Sequence, residues 1–129
     1  MPEVVVSVRG QRPIPWGCNE WVWRKAVSDA TRVVRKAREE MLPKVSQETH
    51  FSVTLLFLMK PGSIERADID NLAKPVLDTL FHSRNAQVQD KDLTGAMFEV
   101  DDDRVFELVA TKKLVASPND EGIDITIAW

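Results

Sequence analysis

The chain has 129 residues, of which 43% are apolar and 29% are charged, and its formal net charge is −3. This length predicts one compact domain over residues 1–129, because two independent cores would each be too small. The single cysteine, Cys18, excludes an internal disulfide, and the longest apolar run is far shorter than a membrane-spanning helix. We therefore expect a cytoplasmic protein with no membrane association.

The charge is distributed unevenly along the chain. Residues 1–60 contain ten Lys or Arg and six Asp or Glu, a net charge of +4, whereas residues 61–129 contain seven and fourteen, a net charge of −7. Such a split fits a basic substrate surface beside an acidic cation site, although scattered surface charge gives the same count. The negative total weighs against nucleic acid as a partner, because Lys and Arg drive phosphate binding.

The first half of the chain predicts a strand, a helix and a second strand. Glu3–Arg9 is rich in Val, and the Pro- and Gly-containing segment that follows it predicts a loop. Asn19 is a candidate N-cap for a helix over about 20–41, whose apolar residues recur every three or four positions. A long strand is predicted over 49–60, where apolar and polar residues first alternate and then become apolar throughout.

The second half predicts one helix and three strands. A helix over about 71–81 should begin at Asp70 or Asn71, since Pro75 cannot lie deep inside it without losing a hydrogen bond. Three predicted strands follow, and the last two should form a hairpin through 117–122; these strands cover 97–100, 105–116 and 123–129. The order β-α-β-α-β-β-β predicts a single α+β domain with a mixed sheet and two main helices.

The densest chemical signal lies in residues 66–78, which read RADIDNLAKPVLD. In an extended segment Asp68 and Asp70 would project to the same side, and two adjacent carboxylates favour a hard divalent cation. Asp70, Lys74 and Asp78 then follow at four-residue steps on one side of the predicted helix. Acids at a helix start that interact with its dipole, and a surface ion pair between Lys74 and Asp78, are the structural alternatives.

A second acidic signal is the run Asp101, Asp102 and Asp103, just before the predicted strand 105–116. Three adjacent acids are usually a solvated turn. Two acidic clusters at junctions bordering one sheet can also converge on one cation, which predicts a shared metal site.

These two blocks resemble the signature of the RusA-type Holliday-junction resolvases. In that family a D-x-D-N motif opens a helix that carries a lysine and a further aspartate, and an Asp-Asp pair begins a strand ending in basic residues. Here the first block is 66–78, and the second is 101–108 followed by Lys112 and Lys113. The resemblance extends to the strand around 51–59 and, more loosely, to the first helix.

The resemblance implies a magnesium cofactor, a homodimer and cleavage of four-way DNA junctions. Asp68, Asp70 and Asp102 match the metal-binding and catalytic acids of the family, with Asp101 as a further ligand, and Lys74 matches its functional lysine. The spacing between the two blocks is about ten residues longer than in the family, so the position of Asp102 has four rivals: Asp90, Asp92, Asp101 and Asp103.

From these residues we expect magnesium-assisted phosphodiester hydrolysis, with Lys74 stabilising the charged phosphate. Candidate phosphate contacts are the basic residues Arg24, Arg32, Arg35, Lys36, Arg38, Arg66, Lys74 and Arg84. A non-catalytic module that keeps the fold and binds nucleic acid or protein is the main alternative. A nuclease acting on other branched DNA is a third.

Overall fold

The computed structural model describes residues 2–40, 44–82 and 93–129, and these described residues contain seven main helices and strands. The strands and helices in chain order are β1 (Glu3–Arg9), α1 (Trp21–Arg38), β2 (Phe51–Met59), α2 (Ser63–Arg66), α3 (Ile69–Leu80), β3 (Val105–Leu114) and β4 (Gly122–Ala128). They confirm the predicted α+β class with a mixed sheet and two main helices. None of the described helices has the length and apolar content needed to cross a membrane.

The four strands form one sheet in the order β1-β4-β2-β3. β2 pairs parallel with β3 and antiparallel with β4, which pairs antiparallel with β1. The parallel pair requires the chain to return along the sheet between β2 and β3, and α3 provides most of that crossover. Because β2 has a partner on both sides, its long apolar run lies at the centre of the sheet.

The core lies between one face of the sheet and the two long helices. Phe51 and every second residue after it in β2 are fully buried on that face. α1 contributes Trp23 and Val27, and α3 contributes Leu72 and Val76, at the three- and four-residue spacing that defines one apolar side of a helix. Burial of each large side chain contributes about 1.5–3 kcal/mol, which fixes α3 against the sheet.

Two strand predictions are wrong. β3 and β4 form no hairpin, because β2 lies between them. The segment 97–100 is not a strand of the sheet. The amides of Ala96, Met97 and Phe98 instead donate to the carbonyls of Thr79 and Leu80, which have no partner inside α3 because they lie at its C-terminal end.

Both helix starts also differ from prediction. Asn19 adopts a positive φ of 58°, and Glu20 occupies the N-cap position of α1. α3 begins at Ile69, so Pro75 lies inside the helix. Pro75 has no amide to donate to the carbonyl of Asn71, and the Trp16 amide occupies that oxygen at 2.8 Å. α1 ends at Arg38, before the predicted end at residue 41, which itself lies outside the described residues.

Candidate metal centre

The start of α3 carries two exposed carboxylates. Asp68 holds the N-cap position with an extended backbone, yet its side chain accepts no capping hydrogen bond. The prediction that Asp68 and Asp70 share one extended segment is wrong, because Asp70 already lies in the first helical turn. Neither carboxylate forms a hydrogen bond or ion pair with a described residue, so both remain accessible to a cation from solvent.

Lys112 in β3 fixes the backbone just before this helix start. Its ammonium donates to the carbonyl of Ile64 at 2.7 Å and to that of Ala67 at 2.9 Å. From the sequence we predicted only that this strand ends in basic residues, and we did not predict that Lys112 holds the backbone before α3. Lys112 lies two residues after Ala110, on the side of β3 that faces the helices, and this spacing could have indicated its role.

Lys74 lies midway along the polar side of α3. Its Nζ is 3.4 Å from Oδ2 of Asp78, and about half of its side chain is exposed. The indole of Trp16 lies 5.8 Å from the same Nζ, and this loop is held against α3 by the hydrogen bond to Asn71. The predicted alignment of Lys74 and Asp78 on one side of the helix is thus confirmed.

The C-terminal end of α3 meets the second acidic block. A short parallel bridge between His82 and Asp101 brings the two segments together. Burial, then a hydrogen bond to Asp101, then the negative charges of Asp78 and Asp101 raise the pKa of Asp102 from 3.8 to about 6. Asp101 is buried, and its Oδ1 accepts from the Asp103 amide at 2.9 Å. Asp102 therefore lies in a cluster of like charges.

The two acidic regions do not share one point in this fold. Asp70 and Asp78 are eight positions apart in the helix, a distance of about 12 Å along the axis at 1.5 Å per residue. Across residues 2–40, 44–82 and 93–129, no three His, Cys, Asp or Glu side chains are arranged to hold a metal ion. Asp102 thus meets Asp78 and Asp101 rather than Asp68 and Asp70, and the rivals Asp90 and Asp92 lie outside the described residues.

The chemistry of Asp78 and Asp102 fits magnesium better than a softer metal. Magnesium is commonly held by one or two carboxylates and completes its shell with water and substrate phosphate. Burial is the main cause of the raised pKa of Asp102, and repulsion from Asp78 adds to it; a cation between these two side chains would relieve that repulsion. From the sequence we considered an ion pair between Asp78 and Lys74, and we did not predict Asp78 as a metal ligand.

The predicted phosphate contacts fall into different environments. Arg24 is wrong as a phosphate contact, because it is buried and its guanidinium donates to Thr79 and to the carbonyl of Leu93. Arg35 is partly buried and lies 3.4 Å from the carbonyls of Gly95 and Ala96. The exposed candidates among the described residues are Arg32, Lys36, Arg38, Arg66 and Lys74.

Arg66 also lines an open cavity of about 520 Å³ together with Arg12 and Lys60. Arg84 lies outside the described residues.

No protein-family model matches this chain, and no curated protein matches it.

Proposed function

We propose that this chain is a magnesium-dependent DNA endonuclease that cuts branched DNA, with the four-way junction as its expected substrate. The observation that carries the proposal is the contact between two blocks distant in sequence. Asp102 of the second acidic block lies against Asp78, and Asp78 pairs with Lys74 of the D-x-D-N helix. The blocks on which the family resemblance rests therefore contribute to one surface of the fold.

Each side chain of this surface has a defined role in the proposal. Asp78 and Asp102 would hold the ion. Asp101 accepts a hydrogen bond from the Asp103 amide and would position Asp102 through the hydrogen bond between their side chains. Bound magnesium supplies a water of lowered pKa and offsets charge on the phosphate. Lys74 is exposed enough to contact a phosphate oxygen as a point charge while Asp78 keeps its ammonium beside the site. Asp68 and Asp70 lie at the other end of α3, too far away to bind the same ion, so their predicted role as its ligands is not part of the proposal.

Two-fold symmetry of the substrate favours a homodimer. A four-way junction must be cut on two strands, and one chain supplies one copy of the surface. A symmetric pair of chains supplies two copies at a fixed separation. The distorted backbone of the junction can be recognised by its shape, which requires few base contacts.

A cleavage assay tests the proposal. The full chain is incubated with end-labelled four-way junction, three-way junction or linear duplex, in magnesium or in EDTA. We expect paired nicks in the four-way junction with magnesium only, and loss of cleavage in Asp102→Asn and Asp78→Asn. Asp120→Asn, an exposed acid in the β3–β4 connection, is the matched control and should cleave normally. Absence of cleavage of every branched substrate by the wild type contradicts the proposal.

A non-catalytic binding module is the second candidate. It is favoured by the negative net charge and by the lack of a three-acid group among the described side chains. In the same assay this candidate predicts junction binding that persists in EDTA, with no strand cut. Cleavage restricted to the three-way junction would instead identify a nuclease for other branched DNA.

A further inference from the structure

Among the described strands, β3 at the edge of the sheet exposes the most large apolar side chains. β3 ends the sheet, and among the described strands only β2 pairs with it. The strand is ten residues long and contains no Pro or Gly. Four of its large apolar side chains are 43–60% exposed, namely Phe106, Leu108, Val109 and Leu114. Proteins normally protect such edges with charge, proline or short length. β3 contains Glu107, Lys112 and Lys113, but its length and its exposed apolar side chains still favour pairing with another strand.

The other edge of the sheet shows the contrast. β1 has seven residues and alternates strictly between buried and exposed positions. Val5 is its only exposed large apolar side chain, and Glu3 and Arg9 place charges at its two ends. Both edges carry charged residues, and β3 differs from β1 in its greater length and in its four exposed large apolar side chains, which identifies β3 as the interaction surface.

The charges of β3 are arranged for pairing with a second copy of the same strand. The pairing with β2 has an irregularity at Phe106, so the regular part of the edge begins at Glu107. Glu107 and Lys113 lie three residues on either side of Ala110. In an antiparallel pair centred on Ala110, Glu107 of each copy faces Lys113 of the other, and this favourable contact occurs twice.

The sizes of the β3 side chains, and the sheet face from which each projects, fit the same antiparallel register centred on Ala110. Glu107 and Lys113 are aligned with Ser52 and Leu58 of β2, so both project from the sheet face away from the helices. Ala110 would lie on the two-fold axis, where a small side chain allows the strands to approach. The exposed Leu108 and Val109 fall within the paired stretch and would lose contact with water.

We propose that this chain forms a two-fold symmetric dimer in which β3 pairs antiparallel with β3 of a second copy around Ala110. The interface joins two sheets into one and leaves α1 and α3 of both copies on the same face. This inference deepens the dimer of the proposed function. It is measured without DNA or magnesium, so failure of the dimer and failure of cleavage are distinguishable outcomes.

Charge exchange across the strand tests the register. Sedimentation velocity over a concentration series gives the dimer dissociation constant for wild type, Glu107→Lys, Lys113→Glu and the double exchange. Each single change places like charges opposite each other twice and should raise this constant by about tenfold or more. The double exchange should restore it to within about threefold of wild type, since two-fold symmetry pairs the exchanged charges again. Glu3→Lys, with the same charge change on β1, is the matched control.

Several outcomes would overturn the proposal: a wild-type chain that stays monomeric at all concentrations, single variants that associate like wild type, or a double exchange that does not recover. Hydrogen exchange gives a second measurement if a variant folds poorly. In the wild type, protection of β3 amides should increase with protein concentration and that of β1 amides should not. Protection that is independent of concentration, or that increases in β1 instead, refutes the β3 interface.

Discussion

Replacing Asp102 by Asn should stabilise the protein in a pH-dependent manner. The Asp102 carboxyl is half-buried beside Asp78 and Asp101, and its pKa is about 6 in the folded chain against an ordinary value of 3.8. The folded state therefore binds this proton more tightly than the unfolded state. The stability that Asp102 contributes is fully present below about pH 4 and is lost as the pH rises through about 6.

The magnitude follows from the change in pKa. A rise from 3.8 to about 6 corresponds to about 3 kcal/mol at 1.36 kcal/mol per pKa unit. Because the carboxyl remains substantially exposed, solvent screening reduces the expected effect to about 1–2 kcal/mol. Asn has nearly the same shape without the charge. Asp102→Asn should therefore be more stable than wild type by about 1–2 kcal/mol at pH 8, and nearly equal to it at pH 4.

Urea unfolding followed by circular dichroism, in EDTA at pH 4 and pH 8, measures this difference. Asp120→Asn removes a carboxylate that is exposed in the β3–β4 connection and should show no comparable gain at pH 8. An Asp102→Asn variant that is less stable than wild type at pH 8 would refute the reasoning. So would an equal gain at both pH values, because the effect would then not come from the charge.

Three further perturbations probe the site and the sheet. Magnesium at pH 8 should raise the melting temperature of the wild type more than that of Asp102→Asn in thermal melts, and equal shifts would argue against this ligand. Lys112→Met removes two hydrogen bonds to backbone carbonyls before α3 and should lower the free energy of unfolding by about 1–3 kcal/mol in urea titrations, whereas Lys36→Met, at an exposed lysine of α1, should change it little. Gly122→Ala should prevent stable folding, because its Cβ would overlap a carbonyl of β1, whereas Gly10→Ala has open space and should cost about 1 kcal/mol of backbone strain; circular dichroism distinguishes them.

The sequence pattern correctly predicted features that depend on residues close together in the chain, such as which side of a strand or helix is buried. The apolar alternation of β2 and the spacing of Leu72 and Val76 correctly predicted which faces are buried. Pattern alone did not predict strand neighbours, because period and turn residues define the faces of a strand and not the strand beside it. The sequence 117–122 therefore predicted a hairpin, although β4 pairs with β1 and β2.

The direction of β3 relative to β2 determines which acidic side chains lie together in the candidate site. No sequence pattern specifies this direction. Had β3 run antiparallel to β2, its first residues would lie near Met59, close to the start of α3 and to Asp68. The observed parallel register pairs Val105 with Phe51 and Leu114 with Met59, so Asp102 lies at the opposite end, where α3 finishes. Strand direction therefore selects Asp78 as the partner of Asp102.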